Sequence, residues 1–353
     1  MKKSPRVLLL VDWNPANGSL LLDHLRKAGL DCDIIGTNFK QSQWTPIKKI
    51  FFHWPRCLWV SARAFTRRHE YDYVIAWPQV MGMFLGVMKR ITGSISPRVF
   101  SLNTTIVERK NPILKKLRNW FLRFSLKKID HISFLSAGYM KIMQKRFNLS
   151  ADQTILLQQP ITFKNNPDYC GFDPEGYLYS VGLSYRDFPT LMEAARKCPK
   201  QFVLATTDAF LKGLAIPENV TVYRNAFGDK AEALMKGAAA VIFPLERTSS
   251  PAGETTLVDA MFYGKPIITT QTITTQEYIT HGHNGLLVPC KDPDAIVDAI
   301  NVIFANPEKA TDMGCQARAC ILENHTMDAY SKKLIDIIKA TAETSDHPIR
   351  NSW

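Results

Sequence analysis

Two short segments of this chain combine residue types that can hold a phosphate. The first, Ser180-Val181-Gly182-Leu183-Ser184-Tyr185-Arg186-Asp187-Phe188, runs from an apolar stretch into a glycine, a hydroxyl and a guanidinium. Glycine permits close backbone approach, and the planar fork of Arg186 matches the oxygens of a diphosphate. The plainer alternative is an ordinary strand-to-helix turn with Arg186 paired to a nearby acid. The second, Ser249-Ser250-Pro251-Ala252-Gly253-Glu254-Thr255-Thr256-Leu257-Val258-Asp259-Ala260-Met261, reads as a helix beginning at Gly253. Free N–H groups at such a start attract phosphate or sugar hydroxyls. Asp259, one turn on, can accept two hydrogen bonds from a ribose diol. On purely structural grounds Glu254, Thr255 and Thr256 are good first-turn residues and Asp259 a surface charge.

Around these segments strand and helix patterns alternate. Apolar stretches at 177–181, 202–205, 220–223, 239–243 and 266–269 predict strands, and 190–196, 231–235, 255–263 and 293–304 predict helices. The first half opens with Val7-Leu8-Leu9-Leu10-Val11, the continuous apolar run of a buried parallel strand, then a turn at 14–18 and a helix through Leu20, Leu21, Leu25 and Leu30. Further strands are expected at 72–77, 98–102 and 132–135. The fold class is therefore α/β, with doubly wound parallel sheets. Pro160, Asn165-Asn166-Pro167, Gly171 and Pro174 mark a linker. The expected division is 1–165, 166–328, and a helix and tail at 329–353 whose stripe Tyr330, Leu334, Ile337 and Ile338 packs back on the first domain.

A chain of 353 residues, 46% hydrophobic, is long enough for two cores. The best apolar stretch, 74–88, is interrupted by Pro78 and Gln79, so no spanning helix is expected, and Asp12 cuts the first run too short for a secretory signal. Seven scattered cysteines without a C-x-x-C pair argue against a disulfide framework or zinc site and fit a cytoplasmic protein.

Net charge is +12, but residues 1–170 hold 27 Lys/Arg against 10 Asp/Glu, and residues 171–353 hold 17 against 22. The first half should face something anionic. Ile113, Leu114, Leu117, Trp120, Phe121 and Phe124 recur at helical spacing among Lys115, Lys116, Arg118, Arg123, Lys127 and Lys128. Residues 46–68 add Phe51, Phe52, Trp54 and Trp59 to Lys48, Lys49, Arg56, Arg63, Arg67 and Arg68. We expect peripheral binding to the inner face of a membrane through Lys115, Lys116, Trp120, Phe121 and Arg123. The competing reading packs the stripe on the sheet. No motif supports nucleic acid as the partner.

Further residues carry a family resemblance: Gly264-Lys265-Pro266-Ile267-Ile268 after Asp259-Ala260-Met261, then Glu277-Tyr278-Ile279, Asn284-Gly285-Leu286-Leu287-Val288-Pro289, Asp292-Pro293, Met313-Gly314 and Ala317-Arg318. Over roughly residues 178–335 the chain resembles the C-terminal domain of the retaining family-four glycosyltransferases (glycosyl transferases group 1). That resemblance implies a GT-B fold, two Rossmann-like doubly wound domains facing across a cleft. It implies transfer from a UDP- or GDP-linked nucleotide-sugar, without a metal or other cofactor, to a cell-envelope or lipid-linked glycan.

On this reading Gly182, Ser184, Arg186, Gly253, Glu254, Thr255, Thr256 and Asp259 bind the nucleotide-sugar, with Arg186 and Glu254 catalytic. Asn14, Asn17, Gly18 and Asn103, on loops at the carboxyl ends of first-domain strands, face the acceptor. Asp259 matches the second acid of the family's paired-acid motif; the first falls on Pro251, and Glu254 or Glu246 would compensate. A GT-B-shaped epimerase and a non-catalytic nucleotide-sugar-binding protein are the alternatives. Asp31-Cys32-Asp33 is read as the entry to a strand, Asp292-Pro293-Asp294 as a helix cap, and His281-Gly282-His283 as a loop, none as a metal site.

Overall fold

The computed structural model describes residues 4–37, 52–106, 111–161, 171–226 and 228–344. Lys48, Lys49, Phe51 and the 162–170 part of the expected linker lie outside them, as does the side chain of Asn17. The chain divides into two compact units, Met1–Gln158 with Met327–Trp353, and Gln159–Thr326.

The first unit is a six-stranded parallel sheet. Its strands are β1 (Arg6–Val11), β2 (Asp31–Gly36), β3 (Tyr73–Ala76), β4 (Arg98–Ser101), β5 (His131–Phe134) and β6 (Thr154–Leu156). They lie in the order β2-β1-β3-β4-β5-β6. Val7 to Val11 are wholly buried, as their unbroken apolar run requires of a central strand covered on both faces. The helices are α1 (Leu20–Lys27), α2 (Trp54–Thr66), α3 (Gln79–Thr92), α4 (Pro112–Leu126) and α5 (Ala137–Phe147). Ser19 caps α1 by accepting from the Leu22 N–H at 3.3 Å.

The second unit repeats the plan. Its strands are β7 (Tyr177–Val181), β8 (Phe202–Thr206), β9 (Val220–Arg224), β10 (Ala238–Phe243), β11 (Ile267–Thr270) and β12 (Leu286–Val288), in the order β12-β11-β10-β7-β8-β9, all parallel. Around them lie α6 (Phe188–Lys197), α7 (Asp208–Leu211), α8 (Asp229–Lys236), α9 (Glu254–Phe262), α10 (Pro293–Ala305) and α11 (Pro307–Asn324). Asp292 caps α10 by accepting from the Ala295 N–H at 2.9 Å, with Pro293 at its first position. The resemblance motifs acquire structural reasons here. Gly314 lets α11 run against the Gly264 carbonyl, where a Cβ would collide. Buried Lys265 donates to the carbonyls of Lys236 and Ala238, each at 2.7 Å, and so ties α9's end to the start of β10.

The last helix, α12 (Met327–Thr344), belongs to the first unit, where Tyr330, Leu334, Ile335 and Ile338 join the core of Val7, Leu9 and Leu25. The buried stripe therefore uses Ile335, while Ile337 is only half-buried. Tyr73 Oη donates to the Ile338 carbonyl at 3.1 Å.

Among the described cysteines, Cys32, Cys57, Cys198, Cys290 and Cys320 are free, but Cys315 is disulfide-bonded, which their spacing did not signal. Among the described residues no helix is long and apolar enough to cross a membrane.

Candidate functional site

The strand order brings the two phosphate-type segments together. From β7 the chain winds outward through β8 and β9, then returns to place β10 on β7's other side, with Val241 paired to Tyr179. Strand order reverses between β7 and β10, and the crevice outside the carboxyl ends of two such strands is where open α/β sheets hold ligands. The loop after β7 carries Gly182, Ser184 and Arg186, and the loop after β10 leads into α9. The loops are joined by the Asp187 N–H donating to the Pro244 carbonyl at 2.9 Å and the Glu246 N–H to the Tyr185 carbonyl at 2.8 Å.

A cavity of about 440 Å³ opens between them. Gly182, Ser184, Arg186, Gly253, Glu254, Thr255, Thr256 and Asp259 all line it. So does Pro251, whereas Glu246 is exposed outside it.

Arg186 does not stand free in this cavity as expected of a diphosphate ligand. It is buried, donating from Nε to the Val181 carbonyl at 2.8 Å, from Nη1 to the Ser184 carbonyl at 3.1 Å and from Nη2 to the Thr256 hydroxyl at 2.8 Å. Its carbon Cζ lies 5.3 Å from the Phe243 ring centre. Burial lowers its pKa to about 10, against the pull of Glu254. Gly182 is explained by the same contact: a Cβ there would overlap the guanidinium, and its φ of 137° lies where side chains are strained. The glycine thus serves the arginine.

Gly253 adopts φ 89° immediately before α9, and no side chain caps the helix. Apart from that of Glu254, which its own carboxyl engages, the N–H groups of the helix's first turn therefore stand without intrahelical partners on the cavity wall. Asp259 is half-buried and, among the described residues, its carboxyl has no hydrogen-bond partner. Burial, with a contribution from the charge of Glu232, raises its carboxyl to about pH 7. Glu254 is buried with Oε1 unpartnered. Its pKa rises to about 7 through burial, opposed by its own backbone N–H and Arg186 and reinforced by Glu277. The site holds a polarised helix start and two carboxyls poised near neutrality, with one guanidinium fixing their frame.

Two polar cavity residues escaped the sequence reading. Glu232 enters from α8, where it pairs with Lys236 at 2.7 Å, and Tyr179 comes from β7 with its buried hydroxyl unpartnered. Each sits inside an ordinary helix or strand pattern, so no local signal distinguishes it.

In the first unit the expected acceptor-side residues do sit beyond strand ends. Asn14 Oδ1 accepts from the Ala16 N–H at 3.0 Å, and the Gly18 N–H donates to the Pro15 carbonyl at 3.1 Å, so both shape the turn after β1. Asn103, past β4, has φ 51°, donates its N–H to Ser133 Oγ at 2.9 Å, and leaves Oδ1 buried and unpartnered. Unanticipated are Trp13 and Trp77, edge to face at 5.9 Å beyond β1 and β3, where this sheet's order reverses. Asp12, next to Trp13 in the chain, has its Oδ2 3.5 Å from His53 Nε2.

The amphipathic stripe of α4 does not pack on the sheet. Ile113, Leu114, Leu117 and Trp120 are 76%, 55%, 61% and 62% exposed, and only Leu122, Ser125 and Leu126 are buried. Lys115, Lys116 and Arg123 are exposed beside them, and Phe121 is half-buried. α3 packs against both α2 and α4, and Phe52, Trp54, Leu58 and Trp59 are exposed.

Residues 205–320 match the family model for glycosyl transferases group 1. The D-rhamnosyltransferase WbpZ of Pseudomonas aeruginosa is 26% identical over 268 residues, 70% of this chain and 67% of that protein. Among solved structures, sucrose-phosphate synthase from Thermosynechococcus elongatus superposes with a TM-score of 0.74 at 14% identity, covering 96% of this chain and all of that one. Anabaena HepE, solved with UDP, gives 0.64 at 14% identity over 95% of this chain and all of that one. Two parallel six-stranded units, the family match within the second and the rhamnosyltransferase relative together make this chain a glycosyltransferase of the GT-B fold, with residues 205–320 matching glycosyl transferases group 1.

Proposed function

We propose that the cavity between β7 and β10 holds a UDP- or GDP-linked sugar, which is transferred with retention to a cell-envelope or lipid-linked glycan. The observation that carries this reading is the uncapped start of α9 facing the same 440 Å³ space as the unbonded carboxylate of Asp259. The helix start takes the diphosphate, and Asp259 accepts from the ribose hydroxyls. As the sugar–phosphate bond breaks, negative charge grows on the leaving diphosphate. The α9 N–H groups stabilise it, with Arg186 holding the two loops at the required spacing and adding its field. Glu254, poised near neutrality, contacts the sugar in place of the acid missing at Pro251. In this mechanism the diphosphate leaves on N–H groups within the field of Arg186, without a metal, and it helps take the acceptor proton.

The first unit binds the acceptor at the carboxyl end of its sheet, near Asn14, Asn17, Gly18 and Asn103. Its basic, apolar α4 face rests on the anionic inner surface of a membrane, where lipid-linked acceptors reside. The bound HepE nucleotide and the sugar named for WbpZ make UDP and a deoxyhexose conjugate the first ligands to try.

Calorimetric titration with UDP, GDP and ADP and their sugar conjugates tests the donor site. One nucleotide series should bind, and Asp259→Ala should weaken it. Failure of all three nucleotides to bind, or unchanged binding by Asp259→Ala, would remove the assignment.

A further inference from the structure

At the other end of the first unit's sheet the last turns of α3, α4 and α5 converge around a second cavity of about 440 Å³. Arg90, Arg123, Lys127, Lys145 and Arg146 line it, and among the described residues none of its lining is acidic. Cations in last helical turns have an ordinary explanation, compensation of the helix dipole. Magnitudes decide against that as the whole account. Three helix ends supply roughly half a negative charge each, about −1.5 in all, against four full positive charges when Arg146, which has partners of its own, is set aside. A large positive excess remains, gathered around a space.

Part of this lining is held in place. Arg90 lies over the Phe124 ring at 4.5 Å and donates from Nη1 to the Phe124 carbonyl at 3.5 Å. Arg146 lies over the Phe147 ring at 5.3 Å and donates to Asn119 Oδ1 at 3.2 Å. Arg123, Lys127 and Lys145 are exposed around them. Half-buried arginines fixed on aromatic rings suit an anion with several oxygens better than a diffuse cloud of counterions.

Trp120 identifies the source of the anion. It lines the cavity, stacks on Phe124 at 5.7 Å and is 62% exposed. It also continues the exposed row of Ile113 and Leu117, spaced i, i+4, i+7 along one side of α4. An apolar row ending in a cationic cavity matches a molecule that is apolar for most of its length and bears phosphate at one end. We propose that this cavity binds the phosphate of an anionic lipid headgroup while the α4 row enters the adjoining acyl region. The proposal rests on the membrane part of the function above, and it is independent of the donor site.

The test uses the full chain and vesicles of phosphatidylcholine, alone or with phosphatidylglycerol or phosphatidic acid, in a sedimentation assay. Wild type should bind only the anionic vesicles. Arg123→Gln/Lys127→Gln should lose about five-fold for each charge removed through the general surface field, and more from loss of the site. Lys115→Gln/Lys116→Gln, removing the same charge from α4 outside the cavity, should lose only the general part. Melting curves of both variants establish that they fold.

Equal losses in the two double variants would overturn the headgroup site and leave a diffuse basic surface. Wild type failing to bind any vesicle would overturn the membrane reading itself and this site with it. Saturable binding of inorganic phosphate, abolished by Arg123→Gln/Lys127→Gln and accompanied by no vesicle binding, would make the cavity a free-phosphate site and overturn the lipid assignment.

Discussion

Arg186 Nη2 donates to the Thr256 hydroxyl at 2.8 Å and so ties the loop after β7 to the first turn of α9, seventy residues away. Three internal hydrogen bonds from one buried guanidinium make it a clamp for the crevice. We expect Arg186→Ala to destabilise the second unit by about 3 kcal/mol or more, since hydrogen bonds to charged groups contribute about 1.5–3 kcal/mol each. Arg186→Lys should rescue little, because an ammonium cannot reach three acceptors in one plane. Urea unfolding followed by far-ultraviolet circular dichroism measures both.

Gly182 and Arg186 should be coupled. Gly182→Ala places a methyl in the volume of the guanidinium and at an unfavourable φ. With the arginine already removed, only the backbone strain remains. In a double-mutant cycle, Gly182→Ala/Arg186→Ala should therefore cost less than the sum of the single changes by about 1–3 kcal/mol. Strict additivity would show that the glycine serves something else.

Asp259→Ala should reduce nucleotide affinity by about 30- to 1,000-fold, the equivalent of about 2–4 kcal/mol for hydrogen bonds to a carboxylate. Because the ribose would bond the ionised form, affinity of the wild type should rise as pH increases towards about 7, the value to which burial lifts this carboxyl. Asp259→Asn should flatten that dependence, as read by calorimetry across the range.

The same carboxyls set a stability profile. The ordinary values of Asp259 and Glu254, 3.8 and 4.5, rise to about 7 in the folded protein, so the native state holds protons that the unfolded chain releases. Their contribution is fully present below the unfolded values and is lost as pH climbs to about 7, levelling off above it. The urea midpoint of the second unit should be higher at about pH 5 than at about pH 8, with a smaller difference in Asp259→Asn/Glu254→Gln.

Leu334 of α12 is wholly buried in the first unit's core. Leu334→Ala should destabilise that unit by about 2–5 kcal/mol. The sequence has no tryptophan between Gln159 and Thr326, and Trp77 lies 6.4 Å from Tyr330, so tryptophan fluorescence reports this transition separately. A shift confined to the circular dichroism signal would contradict the placement of α12.

The sequence by itself determined the alternation of strand and helix, the Asp292 cap and the family resemblance. Each is local: an apolar run such as Val7 to Val11 must be buried wherever it lies, and a Gly253 start favours an uncapped helix whatever its neighbours. Tertiary structure decided what those residues face. Arg186 looks like a free cation along the chain and becomes a clamp only because β10 returns to lie beside β7. Glu232 and Tyr179 join the cavity through the same strand order. Helical spacing gave α4 an apolar stripe but not its exposure, since periodicity records which residues share a face and only packing settles whether anything covers it.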